Sequence, residues 1–191
     1  MTRRRSDSRR TAEQGGFTLL ELTAALAVAA ILLGIGVAAF AALLQNLRMT
    51  TTVNDFFIAI NMARSEAIQR GARVDLVPAD GKSWTSGWVV FVDADGNHRA
   101  DRGESIVFAH GPVPPGIAIA ATLTDSSAPY LAYNGLGRTR TDASGQAPQL
   151  GTWSFSQDGK VKRRIKIGFL GRPRTCDPAA DSSCTGTADV K

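Results

Sequence analysis

The hydrophobic pattern divides the chain in two. From Phe17 to Leu44 almost every position is apolar, and the 23 residues between Glu21 and Gln45 carry no charge. A helix needs about 20 such residues to cross the hydrocarbon core of a bilayer. Beyond this run the apolar positions become periodic. Val53, Phe57, Ile60 and Ala67 recur at helical spacing, with Phe56, Ala63 and Ile68 beside them. Asn54, Asp55, Asn61, Arg64 and Glu66 fall mainly on other faces, and Gly71 is a natural stop. The pattern predicts one helix from Phe17 to Arg70, roughly 80 Å long at 1.5 Å per residue. A domain of this size cannot bury that length. The first half therefore belongs in a membrane or a filament core, and the second half packs on the C-terminal remainder of the chain.

From Arg73 the period changes. Short β-rich runs at 73–77, 88–92, 105–109, 117–123, 152–156 and 163–170 are separated by Gly, Pro, Asp and Ser. The expected fold class is α+β: a long N-terminal helix, transmembrane in its first half, packed on antiparallel β-sheet. The expected organisation is a leader over 1–16, an apolar helix over 17–44, a globular domain over 45–176 and a mobile polar tail over 177–191.

Charge changes this picture because it is unevenly placed. The net charge is +5 over 191 residues, with hydrophobic residues at 43%, which excludes wholesale disorder. Residues 1–16 hold five arginines against Asp7 and Glu13, and the 15 residues from Lys160 to Arg174 hold seven cations and no acid. The rest of the chain is therefore weakly acidic. Basic residues ahead of the apolar run put the N-terminus in the cytoplasm and the globular part across the inner membrane. A cleaved secretory signal, ending at small residues such as Ala38–Ala42, is the rival. Glu21 argues against it. A carboxylate just inside an apolar helix costs roughly 2.5–3.5 kcal/mol on insertion, and a plain anchor has no use for one.

The string Gly15-Gly16-Phe17-Thr18-Leu19-Leu20-Glu21 resembles the type IV prepilin signature. That resemblance implies cleavage by a prepilin peptidase between Gly16 and Phe17, N-methylation of Phe17, and an assembly role for Glu21 as the fifth mature residue. Glu21 would then pair with the Phe17 ammonium of a neighbouring subunit, offsetting two buried charges at once. Three further blocks are similar to the GspH/FimT family of minor pilins and pseudopilins. They are Ala63-Arg64-Ser65-Glu66-Ala67-Ile68; Trp84 with Gly87-Trp88-Val89-Val90-Phe91; and Asp93 with Asp95.

The basic strip is the candidate functional surface. If 163–170 is a strand, Ile165, Ile167 and Phe169 point inward, while Lys162, Arg164 and Lys166 point outward at about 7 Å intervals. Such a row suits a phosphate backbone. With Phe169 inward, no aromatic interleaves with the cations and base stacking is not expected. The following Gly171-Arg172-Pro173-Arg174 is similar to the C-terminal Gly-Arg-x-Arg motif of FimT-type minor pilins, which bind DNA in natural transformation. The resemblance makes Gly171, Arg172 and Arg174 the principal DNA motif. Proline at the x position stiffens the turn and removes a backbone donor. The alternatives are a solvated charged strand or a subunit contact with an acidic neighbour. A second copy, Gly137-Arg138-Thr139-Arg140, reads as a loop or as an extension of the footprint.

Weaker signals remain. Asp93 to Glu104 places acids or amides where an EF-hand calcium loop has them, but His98 stands where the turn wants Gly. A hairpin turn is the alternative, and no metal is assigned. Cys176 and Cys184, outside the cytoplasm, would form a disulfide in an oxidising compartment; free thiols in a tail are the other reading. No nucleophile-base spacing and no P-loop is present, so neither an enzyme nor a cofactor is expected. The expected function is a minor pilin of a type IV pilus that binds DNA during uptake. Its expected partners are DNA, other pilin subunits, the prepilin peptidase and the inner membrane. The alternative is a minor pseudopilin of a type II secretion system with a structural role.

Overall fold

The computed structural model describes residues 16, 18–142, 144 and 147–184. The leader up to residue 15, Phe17 and residues 185–191 lie outside them. The chain divides into two units, Met1–Leu44 and Gln45–Lys191.

Helix α1 spans Leu19–Arg70. It starts at Thr18, whose Oγ1 accepts from the Glu21 amide at 3.2 Å. The Thr18-x-x-Glu21 spacing is that of a capping box, a local role for this segment beside the expected assembly role of Glu21. In the first unit the apolar side chains stay exposed, Leu19 at 81% and Leu33 at 67%. Among the described residues no helix is long and apolar enough to cross a membrane. Positions 35, 36, 38 and 39 fall outside the described side chains.

In the second unit the same helix becomes amphipathic. Met49, Thr52, Val53, Phe56, Ala59, Ile60, Ala63 and Ala67 form the buried stripe, at the i, i+3, i+4 spacing of one helical face. Phe56 rather than Phe57 is the central aromatic, and Ile68 is half exposed. The Phe56 ring packs 4.9 Å from Trp88, 5.3 Å from Trp84, 5.6 Å from Trp153 and 5.7 Å from Phe155. Small alanines on either side let the sheets approach the helix.

Nine strands make two antiparallel sheets rather than one. The first orders β3-β2-β1-β5-β6. Its strands are β1 Val74–Pro78, β2 Trp88–Val92, β3 Ile106–His110, β5 Leu131–Tyr133 and β6 Thr139–Arg140. The second orders β4-β7-β8-β9, with β4 Ile117–Leu123, β7 Gly151–Gln157, β8 Lys160–Ile167 and β9 Pro173–Cys176. Both sheets bury a face against α1. The first is covered on its other face too, by a smaller cluster of Val77, Phe91, Tyr130 and Ala132. This explains why β1 is buried at every position.

Three differences from the sequence expectation matter for the site. The strand expected over 163–170 starts earlier and stops at Ile167. The residues after it turn back to form β9, an edge strand that the sequence did not predict. Part of the expected mobile tail is folded: residues 177–184 return over the sheet, end in a short 3-10 turn at Ser182–Cys184, and bury Cys184 completely.

Candidate functional site

β8 pairs with β9 so that Lys166 lies opposite Arg174 and Arg164 opposite Cys176. Directly opposed residues share a face, so three cations crowd one side of this edge, an unfavourable arrangement unless acceptors meet them. The chain supplies its own acceptors. Lys166 Nζ donates to the Ser183 carbonyl at 3.1 Å, and the Arg164 guanidinium donates to the Cys184 carbonyl. Arg174 donates to Ser183 Oγ at 3.1 Å and to the Ser183 carbonyl at 3.2 Å, with Asp181 at 3.6 Å. Arg163 pairs with Asp177. A disulfide between Cys176 and Cys184, with Cα atoms 5.8 Å apart, closes this clasp.

The clasp corrects the expected outward row. Lys162 is exposed, Arg164 is half-buried, and Lys166 is 3% exposed. Strand alternation correctly put Ile165 and Ile167 in the core, but it says nothing about what lies across the opposite face. The clasp satisfies Arg164 only in part, since its Nε is buried with no partner among the described atoms.

Phe169 is the second correction: it is 66% exposed, not inward. Alternation ends where β8 ends, and Gly168 to Gly171 form a turn closed by the Gly171 amide donating to the Gly168 carbonyl at 2.9 Å. Gly171 takes φ +72°, which glycine adopts without strain. A Cβ there would lie 3.1 Å from the Gly137 carbonyl oxygen and 3.1 Å from the Tyr133 ring. The buried Tyr133 hydroxyl donates to the Gly171 carbonyl at 2.7 Å, and burial holds that phenol well above its ordinary pKa. The motif's backbone is thereby fixed from beneath. Arg172 is exposed and its side chain has no partner among the described residues. Pro173 opens β9, a position where a strand tolerates a missing donor.

The second Gly-Arg-x-Arg is a turn running into β6. Its Asn134 side chain accepts from the Leu136 and Arg138 amides, both at 3.1 Å. The Gly137 carbonyl accepts from Arg64 of α1 at 2.9 Å.

The loop 93–104 joins β2 to β3. Its acids are used by its own backbone: Asp93 accepts from the Gly96 and His98 amides, and Glu104 from those of Ala94 and Asp101. These hydrogen bonds order the loop as a turn, and the carboxylates of Asp93, Asp95 and Glu104 also lie within 4.8 Å of one another. The sequence did not anticipate the role of His98, whose ring stacks on Tyr130 at 3.7 Å and bridges Asp75 and Asp142. Arg73 binds the same two carboxylates. Burial pushes the His98 pKa down, but the hydrogen bonds and charges of Asp75 and Asp142 outweigh it and raise the value. Residues 73, 75, 98 and 142 have no spacing that would reveal this cluster in sequence.

At the other end of the chain Gly16 and Glu21 are exposed, and Phe17 lies outside the described residues.

A long helix laid on two antiparallel sheets, with an apolar extension at its N-terminus, is the architecture of a pilin-type subunit. Residues 52–171 match the model of the family described as type II transport protein GspH, and the chain belongs to that family of structural subunits. The fold is similar to crystal structures of the type IV minor pilin FimU of Pseudomonas aeruginosa strain PAO1 in two crystal forms. One has a TM-score of 0.56 at 17% identity, covering 71% of this chain and 92% of that one. The other has a TM-score of 0.53 at 17% identity, covering 68% and 94%. No curated protein matches the sequence. Membership makes the chain a minor pilin or pseudopilin of the type IV pilus or type II secretion class, with other pilin subunits as partners.

Proposed function

We propose that this chain is a type IV minor pilin that binds DNA during uptake through the turn at Gly171, Arg172 and Arg174. The observation that carries the reading is Arg172, an exposed guanidinium with no partner among the described residues, raised on a turn anchored by Tyr133. An arginine fork suits phosphate oxygens, and a fixed backbone lowers the entropic cost of using it. Arg174 and Lys162 extend the surface. Arg164 and Lys166 add to the local field while their donors engage the clasp.

The same reading includes the N-terminus. The chain is made as a prepilin in the inner membrane and cut after Gly16, and it assembles through α1 with Glu21 facing a neighbour's Phe17 ammonium. The membrane step rests on the sequence run over 22–44, of which 35, 36, 38 and 39 lie outside the described side chains.

The second reading is a secretion pseudopilin with a structural role. The family description favours it, as does the matched segment ending at Gly171, before the arginines and the clasp. Fluorescence anisotropy with the full-length chain in non-ionic detergent and a labelled duplex separates the two. DNA binding predicts salt-sensitive affinity that Arg172→Gln/Arg174→Gln weakens similarly on unrelated sequences. Absence of salt-sensitive binding by the parent favours the pseudopilin.

A further inference from the structure

The two Gly-Arg-x-Arg turns, 34 residues apart in sequence, meet in space. Gly137 and Gly171 both have positive φ, 69° and 72°. A Cβ on Gly171 would lie 3.1 Å from the Gly137 carbonyl oxygen, so the two turns touch at their backbones. Each glycine is followed by an exposed arginine, Arg138 and Arg172, and neither side chain has a partner among the described residues. The turns are held from below by separate hydrogen bonds, from Arg64 to Gly137 and from Tyr133 to Gly171. Apolar residues stand exposed beside them: Leu136 at 78%, Phe169 at 66% and Leu170 at 54%. From residue 45 on, Phe169 is the one aromatic among the exposed large hydrophobic residues described. No acid occurs in 134–141 or 159–176.

We propose that these two turns form one site for single-stranded DNA, in which Arg138 and Arg172 hold backbone phosphates and Phe169 stacks on an unpaired base. This rests on the DNA-binding reading above and makes it more specific. Two cations on touching turns, with an exposed ring three residues before Arg172, supply what non-specific single-strand binding uses, an electrostatic track and a stacking platform. A duplex offers its phosphates to the same arginines, but its bases are already stacked, so Phe169 gains little from it without costly unstacking. The turns themselves, 134–138 and 168–172, carry cations and no acid, the sign complementary to a phosphodiester strand.

The test uses the full-length chain in non-ionic detergent with three labelled probes of equal length: oligo(dT), a duplex and an abasic phosphodiester strand. The parent should bind oligo(dT) more tightly than the abasic strand. Phe169→Ala should weaken oligo(dT) by about fivefold or more. It should leave the duplex and abasic affinities within about twofold and the melting temperature unchanged, since the ring is exposed. Arg138→Gln should reduce the salt slope on oligo(dT) by about 0.7, the share of one phosphate contact on a single strand. Equal parent affinity for oligo(dT) and the abasic strand would remove the stacking role, and an unchanged slope in Arg138→Gln would remove the second turn. Either result overturns this site while leaving duplex binding through Arg172 intact. No salt-sensitive binding to any probe overturns the DNA reading and this site together. Phe169-dependent capture by phosphatidylglycerol vesicles, without oligo(dT) binding, overturns it in favour of a membrane-docking face.

Discussion

From Leu19 to Leu44 the leucines and valines of α1 remain exposed within the chain, whereas along β8 and β9 the cations Arg164, Lys166 and Arg174 are met by carbonyls of the chain itself. Both stretches are conspicuous in sequence, one apolar and one basic. In the first the fold leaves the surface for something else to cover. In the second it covers Arg164 and Lys166 with residues 177–184 and leaves Lys162, Arg172 and much of the Arg174 side chain exposed. A composition pattern states what kind of surface a segment offers; whether the chain uses that surface on itself depends on where the next segment returns.

The largest expected effect concerns the region the chain leaves uncovered. Gly16→Asp should abolish processing, so that mass spectrometry of membrane-extracted protein finds the full leader in place of a mature, methylated Phe17. A mature start near Ala41 in the parent would support a secretory signal instead. Glu21→Ala should leave cleavage intact while incorporation into filaments, read by immunoblot of sheared pili, falls severalfold. Normal incorporation would remove the charge-pairing role and leave helix capping as the use of that segment.

Opening the clasp sharpens the other half of the comparison. Cys176→Ser/Cys184→Ser removes a short closed loop, worth about 2–3 kcal/mol on the chain-entropy account, and the melting temperature should fall by several degrees. If the clasp masks cations, the same variant should bind duplex with a steeper salt dependence as Arg164 and Lys166 become available. An unchanged slope would mean that the clasp stabilises this edge without limiting its use.

A smaller effect should come from His98, another charge that the chain covers itself. Its folded pKa lies above the unfolded value of about 6.5 because Asp75 and Asp142 hold the charged form. Its contribution is therefore complete below about pH 6.5 and is lost as pH rises through the folded value. His98→Asn should flatten that part of the melting temperature against pH.

Periodicity located α1 and placed the 88–92 and 117–123 strands where β2 and β4 stand, because long or evenly alternating runs carry their own signal. It missed β5, β6 and β9, which are three, two and four residues long. Their register is imposed by partners, as when Tyr133 pairs with Val74 on one side and Thr139 on the other. At the site, sequence singled out Arg172 and Arg174 but misjudged Phe169 and Lys166. The exposure of Phe169 depends on where β8 ends, and that is set by the Gly168–Gly171 turn. Lys166 is buried where its ammonium meets the Ser183 carbonyl, seventeen residues away in sequence, which no local pattern encodes. The meeting of Gly137 with Gly171 is equally a product of sheet topology.

The most direct measurement is the salt dependence of duplex binding by the full-length parent beside Arg172→Gln/Arg174→Gln. With Lys162, Arg172 and Arg174 at phosphates and the clasp closed, log affinity against log salt should have a slope of roughly −2 to −3. The double variant should bring it to about −1 with an unchanged melting temperature. A parent slope near zero, or a double variant that binds as steeply and tightly as the parent, would contradict the claim that this turn is a DNA-binding surface.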